Sequence, residues 1–158
     1  MLPISAPNMT IKSQSGNRDA VILQGDAMTS SASVKIIFRV DANNFTAESM
    51  TLQRVGWHLI QVVGENNRDN FTAKNMIFRN AWEQMIKASY VDTNTNGSDN
   101  GFVENSLFEF TAGQAGQYYT GGIDAHNAKN WVVRGNTFKN IISPSGAVAE
   151  HAIHFWSG

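Results

Sequence analysis

The sequence predicts an all-β solenoid, a parallel β-helix in which short strands stack coil upon coil. Three observations predict this fold class: apolar and polar residues alternate within short segments, similar segments return every 26–37 residues, and Asn, Gly, Ser and Thr are abundant while Leu is scarce. Alternation indicates strands with one face turned inward. Strands this short are unstable alone, but copies stacked on one another bury a continuous core.

Each copy of the first repeated segment contains an apolar residue followed directly by a polar one, just before its last two residues. Four copies align without gaps: AESMTLQRV, AKNMIFRNA, VENSLFEFT and VRGNTFKNI. Because neighbouring side chains of a strand point to opposite faces, we expect one core column and one solvent column. These are Leu52, Phe78, Phe108 and Phe138, followed by Gln53, Arg79, Glu109 and Lys139. Two residues after the Phe, Asn80 and Asn140 are expected to stack as an asparagine ladder at a turn.

The second repeated segment is built around a constant Ile in LIQVV, MIKAS, GIDAH and AIHFW. The expected core column is Ile60, Ile86, Ile123 and Ile153. The two columns expected to face outward are Gln61, Lys87, Asp124 and His154, then Val63, Ser89, His126 and Trp156. His58 and His151 share a column just before the Ile and are expected to be structural.

Variation between the repeats falls in the connections, as in a solenoid with loops. The step from the Phe column to the Ile column grows from 8 residues in the first two repeats to 15 in the last two, and the extra residues lie in TAGQAGQYY and SPSGAVAE. A β-sandwich also uses short alternating strands. It does not predict that the same residue type returns at the same place in each repeat, and the solenoid is therefore favoured.

The repeats resemble those of a known group. WVVRGNTFKNI and the N-terminal MTIKSQSGNRDAVILQGD resemble coils of right-handed parallel β-helix proteins, the pectate-lyase-like superfamily. GGIDAHNAKNWVVRGNTFKNI followed by HAIHFWSG resembles secreted bacterial β-helix proteins of mostly unassigned function. The resemblance implies an extracellular or periplasmic carbohydrate-related protein. It does not select an activity, because this fold hosts lyases, hydrolases, epimerases and adhesins.

Composition limits the partners and the domain count. A formal net charge of −1 without a Lys/Arg cluster argues against nucleic acid, and no apolar run is long enough to span a membrane. We expect a single domain over residues 1–158, with about four to five coils. Because neither end carries an evident cap, we expect truncation at both ends, with the missing remainder of the chain or a partner covering the open coils.

The GIDAH column gathers groups suited to acid–base chemistry, since residues one coil apart lie about 4.8 Å from each other. A Lys beside a carboxylate stays protonated and can neutralise an acidic sugar, or can act as a base if its pKa is lowered, while a His exchanges protons near neutral pH. The predicted catalytic residues are Lys87, Asp124, His126 and His154. The predicted substrate-binding residues on or beside the same face are Gln61, Ser89, Tyr118, Tyr119 and Trp156.

The leading functional hypothesis is cleavage of an acidic polysaccharide by β-elimination. In lyases of the fold that the chain resembles, Ca²⁺ or a basic side chain offsets a uronate carboxylate while a base removes the C5 proton. Mapped by chemistry rather than by a matching motif, Lys87 or His126 would be the base, and Arg134 or His154 an auxiliary group. Ca²⁺ is a candidate cofactor.

Three alternatives stay open at the sequence level. A glycoside hydrolase needs two carboxylates about 5–10 Å apart, which Asp124 with Glu150 or Glu83 could supply. Asp124 with the two His residues of the cluster could instead hold a divalent metal ion. In a non-catalytic glycan-binding or adhesin module, the pairing of Lys87 with Asp124 would only join adjacent strands.

Overall fold

The computed structural model describes residues 1–93, 95–144 and 150–156, with the backbone alone at residue 150. Regular structure in this part of the chain is β-strand, apart from one 3₁₀ turn at Gly64–Asn66. Each full coil adds one short strand to each of three parallel sheets, and every strand pairs with strands of the neighbouring coils. The predicted all-β parallel β-helix is therefore confirmed.

The strands of each sheet follow one another in chain order, one coil after the next. The first sheet contains β1 (Leu2–Ile4), β4 (Ile36–Val40), β7 (His58–Val62), β10 (Gln84–Ala88), β13 (Thr120–His126) and β16 (Glu150–Trp156). The second contains β2 (Thr10–Lys12), β5 (Thr46–Glu48), β8 (Thr72–Lys74), β11 (Phe102–Glu104) and β14 (Val132–Arg134). The third contains β3 (Ile22–Gln24), β6 (Thr51–Val55), β9 (Ile77–Ala81), β12 (Leu107–Glu109) and β15 (Thr137–Lys139).

Strand register confirms both predicted columns, although Ile153 at the last coil is 41% exposed and is therefore not a core residue. Consecutive partners in the first sheet are Ile60, Ile86, Ile123 and Ile153. Consecutive partners in the third sheet are Leu52, Phe78, Phe108 and Phe138. The Phe78, Phe108 and Phe138 rings stack with centroids 4.7 Å apart at each step, a separation at which aromatic pairs attract. The core is thus a ladder of like residues, which explains why the same residue types recur in the sequence.

The first repeated segment forms two strands in each coil, where the alternation predicted one. A residue with positive φ separates the two strands: Ser49 (57°), Asn75 (51°), Asn105 (52°) and Gly135 (63°). Asn and Gly tolerate this left-handed conformation better than other residues. The turn directs the chain from the second sheet to the third, and it creates the sheet that the period-two pattern alone did not reveal.

The predicted ladder of Asn80 and Asn140 is wrong, because Phe110 occupies the coil between them. Asn80 Oδ1 instead accepts from the Thr111 backbone N–H at 3.0 Å, and Asn140 Nδ2 donates to Phe110 O at 3.1 Å. Asparagine side chains do stack at another turn, just before the second sheet. The bonded pairs are Asn44 to Asn8 at 2.7 Å, Asn70 to Asn44 at 2.8 Å and Asn130 to Asn100 at 3.3 Å.

Outward alternation in the first sheet holds where β7 pairs with β10 and fails just outside that stretch. Gln61 and Lys87 are partners and are partly exposed, as predicted. Val63, predicted to face outward, is buried. Leu59 is buried as well, and it precedes the stretch over which β7 pairs with β10. The outward face that can reach solvent is therefore narrower than the sequence suggests.

Candidate functional site

Strands β10, β13 and β16 bring the four predicted catalytic residues onto one face. Register pairs Lys87 with Asp124 and Asp124 with His154. Two residues further along the strand, His126 is paired with Trp156. The predicted columns are thus adjacent, although adjacency alone does not decide which side chains bond to one another.

Lys87, Asp124 and His126 form one contact cluster. Lys87 Nζ lies 2.8 Å from Asp124 Oδ2 and 2.8 Å from His126 Nε2, and His126 Nε2 lies 3.3 Å from Asp124 Oδ1. The side chains of Lys87 and His126 are 14% exposed and that of Asp124 is 5% exposed. Little water screens these charges, so their mutual interactions are stronger than those of a surface ion pair.

The contacts assign the tautomer of His126. Burial, followed by the charge of Lys87, lowers the pKa of His126 below its ordinary value of 6.5. An ammonium group offers only donors, and Nε2 of the neutral ring must therefore accept from Lys87 Nζ, which leaves the ring proton on Nδ1. The 3.3 Å contact between His126 Nε2 and Asp124 Oδ1 is then not a hydrogen bond, because neither atom carries a proton.

Tyr119 joins the cluster from the long connection between β12 and β13. Its hydroxyl donates to Asp124 Oδ2 at 3.1 Å, and burial, followed by the charge of Asp124, raises the pKa of Tyr119 to about 12. The connection is fixed where Gln117 Nε2 donates to Trp82 O at 3.0 Å, and a Cβ on Gly116 would lie 2.5 Å from the Trp82 ring. Tyr119 was predicted to contact a sugar, whereas here it binds a side chain.

Aromatic rings enclose His126 on both sides. The Tyr90 ring stacks on His126 at 4.5 Å between centroids, and the Trp156 ring stacks on its other side at 5.5 Å. His154 packs on Trp156 at 3.9 Å and on His151 at 4.2 Å. Trp156 is 41% exposed, and it is the ring of this stack best placed to meet a ligand. Tyr90 was not predicted, because it lies in a connecting segment outside the alternating pattern.

Three buried polar atoms of this face have no hydrogen-bond partner: Asp124 Oδ1, His126 Nδ1 and His154 Nδ1. In the described part of the chain, the other two such atoms belong to Gln84 and Ser98. Buried polar groups in native proteins are nearly always paired, and a cluster of exceptions calls for a cause such as a ligand or an ordered water. This concentration distinguishes the face from the rest of the described surface.

Two predicted binding residues are engaged with each other and with a carboxylate. Gln61 Nε2 donates to Ser89 Oγ at 3.3 Å, and Ser89 Oγ donates to Glu65 Oε2 at 2.6 Å. Glu65 lies in the 3₁₀ turn after β7, where no periodicity indicated it. Tyr118, also predicted to bind substrate, is 56% exposed, and its role stays a prediction.

Of the described residues, His58, Glu83 and Arg134 make no hydrogen bond to the Lys87–Asp124–His126 cluster, although the charge of Lys87 acts on His58 and Glu83. His58 Nδ1 donates to Gln84 O at 3.0 Å, and burial lowers the pKa of His58 to about 4, as befits a structural residue. Arg134 lies in the second sheet and forms an ion pair with Glu104 at 3.0 Å, the default expected for an outward Arg on a different face, and nothing supports its auxiliary role at this site. Burial raises the pKa of Glu83. The side chain of Glu150 lies outside the described residues.

A metal centre is not supported by the residues present. The described residues contain no group of three or more His, Cys, Asp or Glu side chains placed to hold a metal ion. Within the predicted ligand set, Lys87 Nζ lies between Asp124 Oδ2 and His126 Nε2, where a bound cation would have to be.

In the described part of the chain, no helix is long and apolar enough to cross a membrane.

The face extends further toward the first coil than the sequence indicated. Arg39 of β4 pairs in register with Gln61, which in turn pairs with Lys87. A cavity of about 400 Å³ lies beyond it at the first coil, lined by Met1, Leu2, Ile22, Leu23, Gln24, Val34 and Ile37. None of the cluster residues lines this cavity.

The arrangement has the parts of an acid–base centre: a cation, a carboxylate, a neutral imidazole and exposed aromatic rings. Comparison with protein-family models, with curated proteins and with solved structures finds no match to this chain. The parallel β-helix is established by strand pairing, and the likeness to the pectate-lyase-like superfamily stays a resemblance.

Proposed function

We propose that this face acts on an acidic glycan and cleaves it by β-elimination next to a uronate. The observation that carries the proposal is the buried Lys87–Asp124–His126 cluster, with unpaired polar atoms beside an exposed Trp156. A sugar stacks on an aromatic face, and its hydroxyl groups can pair with buried donors and acceptors. Such a polymer substrate agrees with the extracellular or periplasmic location that the resemblance implies.

The proposed step begins when a uronate carboxylate draws Lys87 Nζ away from His126. The freed lone pair on Nε2 takes the C5 proton, the C4–O4 bond breaks, and a C4=C5 double bond forms. The leaving oxygen takes a proton from a donor or from water. Asp124 Oδ1, 3.3 Å from Nε2, then stabilises the imidazolium, while Tyr119 holds the other carboxylate oxygen in place.

The test is an assay of the full chain on a panel of uronate polysaccharides, following absorbance of the unsaturated product. Lys87→Ala and His126→Ala are each expected to lower turnover by about 10²–10⁴-fold, the usual contribution of a positioned acid or base. Arg79→Ala, which changes an ion pair on another sheet, is the matched control and should leave turnover unchanged. Absence of unsaturated product from every substrate would refute the proposal, and unchanged turnover in both variants would refute this site.

A glycoside hydrolase is the second candidate, and Glu83 favours it. Burial raises the pKa of Glu83, whereas Asp124 is the partner of the Lys87 ammonium. A carboxyl group whose pKa is raised by burial suits the general-acid role of such an enzyme. New reducing ends without unsaturated product would identify the hydrolase. Glycan binding without any cleavage would identify a non-catalytic binding module.

A further inference from the structure

Two arginines lie on the proposed substrate face, on the side toward the first coil. Arg39 occupies the outward column two strands away from Lys87, and Gln61 is its register partner on the strand between them. Each strand-to-strand step is one rung of the solenoid. Two rungs correspond to about 9–10 Å along the solenoid axis. Arg68 lies beside Arg39, since both contact the carboxylate of Asp41.

Asp41 holds both guanidinium groups with few of their donors used. Arg68 Nε lies 2.7 Å from Asp41 Oδ1, and Arg39 Nη1 lies 3.5 Å from Asp41 Oδ2. The hydrogen bond from Asn66 Nδ2 to Asp41 Oδ1 at 3.0 Å, followed by the one from Arg68, lowers the pKa of Asp41. The two guanidinium groups and Asp41 sum to +1, and the carboxylate of Glu65, the residue before Asn66, is bonded to Ser89 on the same face. In residues 1–93 and 95–144, Asp41 is the ion-pair partner of each guanidinium.

We propose that Arg39 and Arg68 form a second carboxylate-binding subsite for the same acidic glycan, which would lie along the solenoid axis across the strands. This inference deepens the proposed function and rests on it for the identity of the ligand. A guanidinium presents paired N–H donors that match a carboxylate in bidentate geometry. The side chains of Arg39 and Arg68 are 38% and 33% exposed, and they are accessible to a chain lying on this face.

The subsite makes a prediction about substrate length. The carboxylate bound at Lys87 and the one bound at Arg39 and Arg68 must belong to different sugar units of one chain, because about two rungs separate the two positions. Longer uronate oligomers should therefore bind more tightly than short ones. A neutral oligomer of equal length should show no such gain.

A matched control exists on the third sheet. There Arg79 and Lys139 share the Glu109 carboxylate, at 2.5 Å and 3.8 Å, which repeats the two-cations-to-one-carboxylate composition of the proposed subsite. The double variants R39A/R68A and R79A/K139A remove the same charge from the molecule, the first on the glycan face and the second on the third sheet.

The experiment measures dissociation constants of the full chain for uronate oligomers of increasing length by titration calorimetry at fixed salt. R39A/R68A should lose the gain in affinity of the long oligomers, about ten-fold or more for one or two lost charge-assisted hydrogen bonds, and should bind short oligomers as before. R79A/K139A should match the unaltered chain. Circular dichroism and urea unfolding show that each variant is folded.

Equal losses of affinity in the two double variants would attribute the effect to net charge and overturn the subsite. The subsite would also be overturned if neither variant lost affinity, or if the unaltered chain bound no uronate oligomer. A chain that binds with this length dependence but forms no unsaturated product would retain the subsite and refute the lyase. The inference and the proposed function therefore fail by different readouts.

Discussion

Two outward columns of the same solenoid contain similar charges but differ in how completely those charges are paired. One runs through Gln61, Lys87, Asp124 and His154 on the first sheet, and the other through Gln53, Arg79, Glu109 and Lys139 on the third. Each places a cation beside a carboxylate on the next coil. On the third sheet Glu109 receives two cations, and Gln53 Nε2 donates to Gln24 Oε1 at 2.8 Å. The third-sheet column is therefore a set of satisfied pairs, although Glu109 itself is 8% exposed.

The first-sheet column is enclosed and incompletely paired. Asp124 is bonded by Lys87 and Tyr119 on one oxygen, and its other oxygen is buried without a hydrogen bond. Rings of Tyr90 and Trp156 cover His126. Position in a repeat therefore places a side chain on a face, and the connecting segments decide whether that side chain becomes a surface ion pair or part of a site.

The largest effect should come from breaking the ion pair of the first-sheet column, and the equivalent change in the third-sheet column is its comparison. Lys87→Met leaves Asp124, 5% exposed, as an uncompensated charge, and such a loss typically costs about 3–5 kcal/mol of unfolding free energy. Arg79→Met leaves Glu109, whose side chain is 10% exposed, with the Lys139 ammonium at 3.8 Å. It should cost less, about 1.5–3 kcal/mol, the usual contribution of one hydrogen bond to a charged group, because a second cation remains. Urea unfolding at neutral pH measures both. Equal costs would mean that the first column is no more than a cross-strand pair.

Acid should destabilise the first sheet through His58, which has no counterpart in the third-sheet column. The pKa of His58 falls from 6.5 to about 4 on folding because of burial, and the unfolded chain then binds more protons between these values. Stability is fully present above about pH 6.5 and is lost as the pH falls toward 4, by about 3 kcal/mol at about 1.4 kcal/mol per pKa unit. The lowered pKa of His126 acts in the same direction.

Unfolding free energy measured from about pH 7 to about pH 4 tests this predicted dependence of stability on pH. His58→Asn is the matched variant, because its amide can still donate to Gln84 O while it does not titrate. We expect the variant to flatten the pH dependence over this range. A slope identical to that of the unaltered chain would show that other groups with lowered pKa values, His126 and His154, govern the acid response.

Much of this comparison could be predicted from the sequence, because register follows from repetition. The Ile and Phe columns return at regular intervals, and their spacing alone identifies the cross-strand neighbours of Lys87 and Asp124. Arg39 was missed because its column partner Gln61 follows after only 22 residues, outside the 26–37 residue period, and because Phe38 replaces Ile in that coil.

Contacts made by connecting segments could not be predicted. Tyr90 and Glu65 lie where no alternation exists, and their positions depend on the local turns. The positive-φ residues between the second and third sheets include a Ser and a Gly among Asn residues, too varied a set to mark a turn by residue type. Periodicity therefore predicted the scaffold and the face, and tertiary packing determined the partners.

The smallest effect should come from Tyr119→Phe, which removes one donor from the enclosed carboxylate and keeps the ring. Hydrogen bonds to charged groups contribute about 1.5–3 kcal/mol, and water can replace part of this because Tyr119 is only partly buried; a loss near ~1 kcal/mol is expected in urea unfolding. If Tyr119 positions Asp124 for the proposed proton transfer, turnover should fall while the KM for glycan changes little, since the phenol binds Asp124 rather than substrate. A change in KM alone would instead return Tyr119 to the sugar-binding role that the sequence predicted.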